Sequence, residues 1–150
     1  MSKSRIKTQN PESFFEAPIY TREELEFKLE RLEWKIDYLL RNFHIAWRNL
    51  IETRAKLAET HSISTNTVSR FDNAIEELKN IIYDAVDEMV VNELKLDTDI
   101  EKYEEQYNVK FKHGEERQLG VALLREGEVV KPVVIYTDYK NLRYCEGERI

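Results

Sequence analysis

Apolar residues recur alternately four and three apart over residues 25–57, at Leu25, Leu29, Leu32, Ile36, Leu39, Phe43, Ala46, Leu50 and Leu57, with Thr53 the only polar interruption. A mean spacing of about 3.5 keeps one narrow side of an α-helix turned toward a partner helix. After a polar break over residues 61–66 the pattern resumes at Val68, Phe71, Ile75, Leu78, Ile82, Ala85 and Met89. Two long heptad helices joined by a short polar loop predict an antiparallel, coiled-coil-like hairpin. Leu40 and Trp47 flank the first seam and widen it, which favours a bundle of more than two helices.

Thr21 followed by Glu24 marks the start of the first helix as a capping box. That helix carries a second apolar set, Phe27, Trp34, Tyr38 and Ile45, largely opposite the seam. A two-helix hairpin buries one stripe per helix, so these side chains need another cover. Either the C-terminal β segment or the Phe14–Tyr20 stretch folds over them, or they form a surface for self-association. The end of the second helix adds Val90, Val91 and Leu94, which are expected to be buried by something beyond the first helix.

Further along, Thr98 and Glu101 are expected to cap a short third helix running to Tyr107. From Val109 the period changes to two. Residues 119–125 and 129–136 are β-rich runs separated by Glu126-Gly127-Glu128, which predicts a tight hairpin turn. Pro132 lacks a backbone donor, so its strand is expected at an edge or a bulge. A second turn over 138–141 leads to Leu142, Tyr144 and Cys145. The fold expected is mainly α with a small β appendage, of the α+β class: a long antiparallel helical hairpin, a short helix, and a three- or four-stranded β meander. The divisions expected are an arm at 1–20, basic and then apolar and extended; the hairpin and third helix at 21–107; and a meander at 108–150 packed on the helices.

The 150 residues are 35% charged and 41% hydrophobic, with four Gly and three Pro, as suits long solvated helices with little loop. A net charge of −6 argues against general polyanion binding, which needs clustered Lys and Arg. The one cysteine, Cys145, excludes an internal disulfide framework and fits a reducing compartment. No apolar run reaches the ~18 residues of a membrane span, and the first ten residues lack the apolar centre of a signal peptide. A cytoplasmic protein is therefore expected.

Chemistry-bearing patterns are sparse. His44, His61 and His113 have no Cys or acid at ligand spacing, and no phosphate-cradling glycine loop or nucleophile elbow occurs. Glu76, Asn80, Asp84 and Glu88 stack four apart on the second helix, read as a solvated acidic face rather than a cation site. Neither a metal, a cofactor, a small-molecule substrate nor catalysis is expected. The expected function is non-catalytic protein–protein interaction or assembly, adaptor- or scaffold-like, by a self-associating hairpin. The interaction surface is assigned to Phe14, Phe15, Phe27, Trp34, Tyr38 and Ile45, and the partner is a second copy or another protein.

The alternative is nucleic-acid binding. Lys3, Arg5 and Lys7 give a basic arm, and residues 57–70 resemble the core of a helix-turn-helix, with Ala58, Ser62, Ile63 and Val68 in its apolar and turn places and Thr67, Ser69 and Arg70 toward the groove. Against it, Ser62 stands where glycine is usual, and Ser64 or Thr65 as an ordinary N-cap explains the same residues. The layout of a helical-hairpin oligomer with a β-rich tail resembles that of the ring-forming phage small terminase subunits. That resemblance is one of layout, without a matched motif.

Overall fold

The structure, a computed structural model, describes residues 16–112, 117–138 and 141–150. In chain order these form β1 (Ile19–Thr21), α1 (Arg22–Glu59), α2 (Thr65–Leu94), α3 (Ile100–Tyr107), β2 (Val109–Lys110), β3 (Arg117–Glu126), β4 (Val129–Thr137), β5 (Leu142–Glu146) and β6 (Glu148–Arg149). The expected α+β class and order of elements are both present. The chain forms two compact units: Trp34–Glu88, and a second made of the described residues up to Glu33 with Met89–Ile150.

The second unit is built on a four-stranded sheet of order β1-β3-β4-β5. Strands β3, β4 and β5 are the expected antiparallel meander. The fourth strand comes from the N-terminal arm, with Ile19–Thr21 running parallel to Leu123–Arg125. Of the arm's described residues Ala17 is buried and Leu123 N–H donates to the Pro18 carbonyl at 2.8 Å, while Ile19 stays 48% exposed. Phe14 and Phe15 lie outside the described residues, as do Lys3, Arg5 and Lys7.

The β3–β4 turn is the expected one, a two-residue loop of Gly127 and Glu128 between the paired Glu126 and Val129. Gly127 has φ 64°, which a glycine adopts without steric cost and which suits the twist of a tight hairpin. Pro132 departs from expectation, for it sits on β4, an inner strand. The register explains why this is tolerated. Leu123 opposite it turns its N–H toward β1, so Pro132 turns its donorless nitrogen away from β3, and the pairing of β5 begins only at Val133. The strand is locally an edge there.

Both faces of the sheet are covered, so β3 reads as a continuous buried run from Leu119 to Leu124 rather than as an alternation. On one face Val121, Leu123 and Val134 pack with Tyr103 of α3, Val109 and Phe111. On the other, Tyr144 stands beside Ile135 and receives the first turns of α1: its hydroxyl donates to Glu26 Oε2 at 2.9 Å and accepts from Arg22 Nη1 at 2.7 Å. Arg22 also reaches Glu126 at 2.7 Å, and Leu142 N–H donates to Glu33. The capping box is formed as expected, with Thr21 N–H donating to Glu24 Oε1 at 2.8 Å and Glu24 N–H to Thr21 Oγ1 at 3.1 Å.

The short helix α3 starts one residue later than its expected cap. Asp99, not Thr98, accepts from Lys102 N–H at 3.3 Å. The segment before it forms a bridge from Asp97 to Val121, and Gly120 makes room for it: a Cβ there would stand 2.8 Å from Leu96 Cβ and 2.9 Å from the Asp97 carbonyl oxygen. Buried Tyr103 fastens three segments, since its hydroxyl donates to Asp97 Oδ2 at 2.8 Å and accepts from Ala17 N–H at 2.7 Å.

Candidate interaction surface

Within Trp34–Glu88 the two long helices run antiparallel, as two side-chain pairs show. Arg54 meets Asp72, and the Lys79 ammonium lies 5.8 Å from the centre of the Trp47 ring. Seven residues back along α1 are matched by seven forward along α2. The turn between them, residues 60–64, holds His61 at φ 55° and ends on Ser64, whose hydroxyl accepts from Thr67 N–H at 3.2 Å as an N-cap. This is the tip of a hairpin, whereas a helix-turn-helix sets its helices at about 90–120°. Thr67, Ser69 and Arg70 are exposed on the first turns of α2.

The buried stripe differs from the heptad expectation in a regular way. On α1 it passes through Ile36 and Leu40 and continues through half-buried Phe43, Trp47, Leu50 and Leu57, while Leu39 and Ala46 are exposed. On α2 it passes through Phe71, Ile75, Ile82 and Val86, while Leu78 and Ala85 are exposed. On α1 the buried line keeps the seven-residue repeat but takes Leu40 and Trp47 in place of Leu39 and Ala46, one residue along, and on α2 Val86 in place of Ala85. The neighbouring positions are left beside the contact, in water.

The two sides of the hairpin are unlike. One side is closed by polar contacts, the Arg54–Asp72 pair at 2.8 and 3.0 Å and the Lys79–Trp47 stack. Hydrogen bonding to Arg54 holds the Asp72 carboxyl below its ordinary value of 3.8. On the other side, at 100° per residue, fall Leu39 (44% exposed), Ala46, Leu78 (38%) and Ile81 (52%), with the half-buried Phe43 and Ile82 between them. Sequence reasoning missed Ile81, which lies just outside the heptad positions of α2.

The second stripe of α1 is also exposed. Trp34 (73% exposed), Tyr38 and Ile45 fall along one line of the helix about 160–180° from Ile36. Phe27, in the other unit, is exposed as well, with the Arg31 guanidinium 5.7 Å from its ring centre. The structure therefore brings Trp34, Tyr38 and Ile45 together and leaves Phe27 in a separate unit.

A hollow of about 510 Å³ beside α3 is lined by Glu101, Glu104, Glu105, Asn108, Lys110 and Ile150. Glu104 accepts from Phe111 N–H at 2.9 Å and lies 3.7 Å from Lys110 Nζ, a structural use of its carboxylate. Among the described residues no three His, Cys, Asp or Glu side chains gather as a metal-binding group, and no helix is long and apolar enough to cross a membrane. No protein family, curated protein or solved structure matches the chain.

Proposed function

We propose that the protein is a non-catalytic, cytoplasmic assembly or adaptor protein that self-associates through its helical hairpin and presents the aromatic stripe of α1 to another protein. The observation that carries this reading is the apolar surface the hairpin leaves over. Trp34, Tyr38 and Ile45 lie on one side, and Leu39, Leu78 and Ile81 on another, all exposed. Full burial of a large apolar side chain is worth roughly 1.5–3 kcal/mol, of which each of these residues forgoes a share in proportion to its exposure, and apolar side chains exposed together mark interaction sites.

Light scattering across a range of concentrations tests it. The expected mass is a multiple of the 18.0 kDa chain. A single-chain mass at every concentration overturns self-association. The rival reading, nucleic-acid binding at the tip, has Arg70 as its cation with the acidic Asp72 two residues on. Salt-dependent binding of duplex DNA near 50 mM salt would favour that rival over the assembly reading.

A further inference from the structure

We propose that the surface through which the hairpin self-associates is its open side, Leu39, Ala46, Leu78 and Ile81, and that the occupant is a second copy packed with its two-fold axis parallel to the helices. This rests on the self-association reading and specifies its geometry.

Burial gives the first reason. A hairpin sealed on one side by Arg54–Asp72 and Lys79–Trp47 has its unfinished core on the other, where Phe43 and Ile82 are half-covered and the displaced heptad residues are in water. At 1.5 Å per residue the paired helices run about 36–39 Å, and two helices side by side are roughly 20 Å wide. Such a face offers about 700–800 Å² per copy, close to the ~800 Å² per partner of a standard interface.

Charge favours one two-fold arrangement. Leaving out Arg54 and Asp72, which pair with each other on the sealed side, the α1 half of the hairpin carries Lys35, Arg41, Arg48 and Lys56 against Asp37, Glu52 and Glu59, a net +1. The α2 half carries Arg70 and Lys79 against Glu76, Glu77, Asp84, Asp87 and Glu88, a net −3. An axis parallel to the helices sets each α1 against the other copy's α2, antiparallel and of opposite charge. An axis across the helices sets α1 on α1 and α2 on α2, like on like.

Shape agrees with charge. The pairing of Arg54 with Asp72 and of Trp47 with Lys79 puts Leu39 level with Asp87 and Ala46 level with Asn80, so Leu39 stands about half a turn from Ala85, and Ala46 lies within about half a turn of both Leu78 and Ile81. An axis parallel to the helices keeps these levels, so across the interface the large side chains of one hairpin fall near the alanines of the other. The product is a four-helix bundle with both hairpin tips at the same end.

The test uses the full chain. Ile81→Arg places a cation on an exposed position facing the cationic α1 of the other copy. Sedimentation equilibrium should show its dimer dissociation constant raised at least about tenfold, with helical content by circular dichroism unchanged. For the arrangement, Ser62→Cys at the tip in a Cys145→Ser background is spin-labelled. The expected separation in the dimer is under about 30 Å, whereas tips at opposite ends stand about 40 Å or more apart. A dimer that Ile81→Arg leaves intact overturns the assigned face while self-association stands. A long label distance overturns the parallel axis. A wild-type chain that is monomeric throughout overturns both this proposal and the self-association reading.

Discussion

Arg54 on α1 and Asp72 on α2 form a two-point ion pair, Nε to Oδ1 at 2.8 Å and Nη2 to Oδ2 at 3.0 Å. It joins residues eighteen apart across the hairpin and, with Trp47 and Lys79 one heptad away, sets the register of the two helices. The geometry is the fork-on-carboxylate kind that adds direction to a modest attraction.

Either single change, Arg54→Ala or Asp72→Ala, should lower the melting temperature slightly, because both groups are largely exposed and screened by water. The exchanged pair, Arg54→Asp with Asp72→Arg, should recover most of the loss. An exchanged pair that melts with the singles would show that the contact does not hold the register.

The same pair predicts an acid response. Asp72 has its folded pKa depressed by Arg54, and Glu24 has its own depressed by the Thr21 capping bonds, from ordinary values of 3.8 and 4.5. A depressed carboxylate stabilises the fold fully above its unfolded pKa, and that contribution is lost as pH falls through the folded value. The melting temperature should therefore decline from about pH 5 downward, and Asp72→Asn should flatten part of that decline. An identical pH profile for Asp72→Asn would exclude the pair as a contributor.

Tyr103→Phe should destabilise by about 1–3 kcal/mol, because Ala17 N–H loses its acceptor and Asp97 a donor in a buried place. Burial first, then Asp97, raises the Tyr103 pKa above its ordinary 10. A group raised in this way stabilises the fold below pH 10 and ceases to do so as pH rises through its folded value. Chemical denaturation at pH 7 measures the first effect, and a cost below about 0.5 kcal/mol would mean that water replaces the hydroxyl.

Gly120→Ala and Gly127→Ala should both destabilise, for different reasons. At Gly120 the new methyl meets Leu96 Cβ and the Asp97 carbonyl, and overpacking of this kind costs about 1–3 kcal/mol. At Gly127 it meets nothing within 4 Å, and the cost is the left-handed backbone, about 1–2 kcal/mol. Asn at 127, which tolerates that conformation, should recover part of the loss, whereas Asn at 120 should be worse than Ala. The opposite order in denaturant midpoints would refute the two assignments.

The triple change Trp34→Ser, Tyr38→Ser and Ile45→Thr removes the aromatic stripe. All three residues are exposed, so helical content should hold. The dimer mass should hold too, since the stripe lies away from the open side of the hairpin. A fall to the single-chain mass would place the self-associating surface on the stripe instead.

The local pattern of the sequence was enough for the long helices, the capping box, a cap at Ser64 or Thr65, the Glu126–Val129 turn and the meander, and the structure chose Ser64 for the cap. Each rests on residues within a few positions of one another, where periodicity and cap or turn chemistry act directly. It also marked Trp34, Tyr38 and Ile45 as a stripe that a hairpin cannot bury, and in the structure they are exposed. What needed the third dimension was pairing between distant segments. That Ile19–Thr21 joins β3 depends on residues about a hundred positions apart, and the place of Pro132 on an inner strand depends on Leu123 turning its N–H to that arm and on the pairing of β5 beginning only at Val133. The shift of the buried line from Leu39 to Leu40, from Ala46 to Trp47 and from Ala85 to Val86 likewise depends on how the two helices meet. A spacing averaged over a helix cannot locate that contact to within one residue, and the contact decides which apolar side chains are core and which remain as surface.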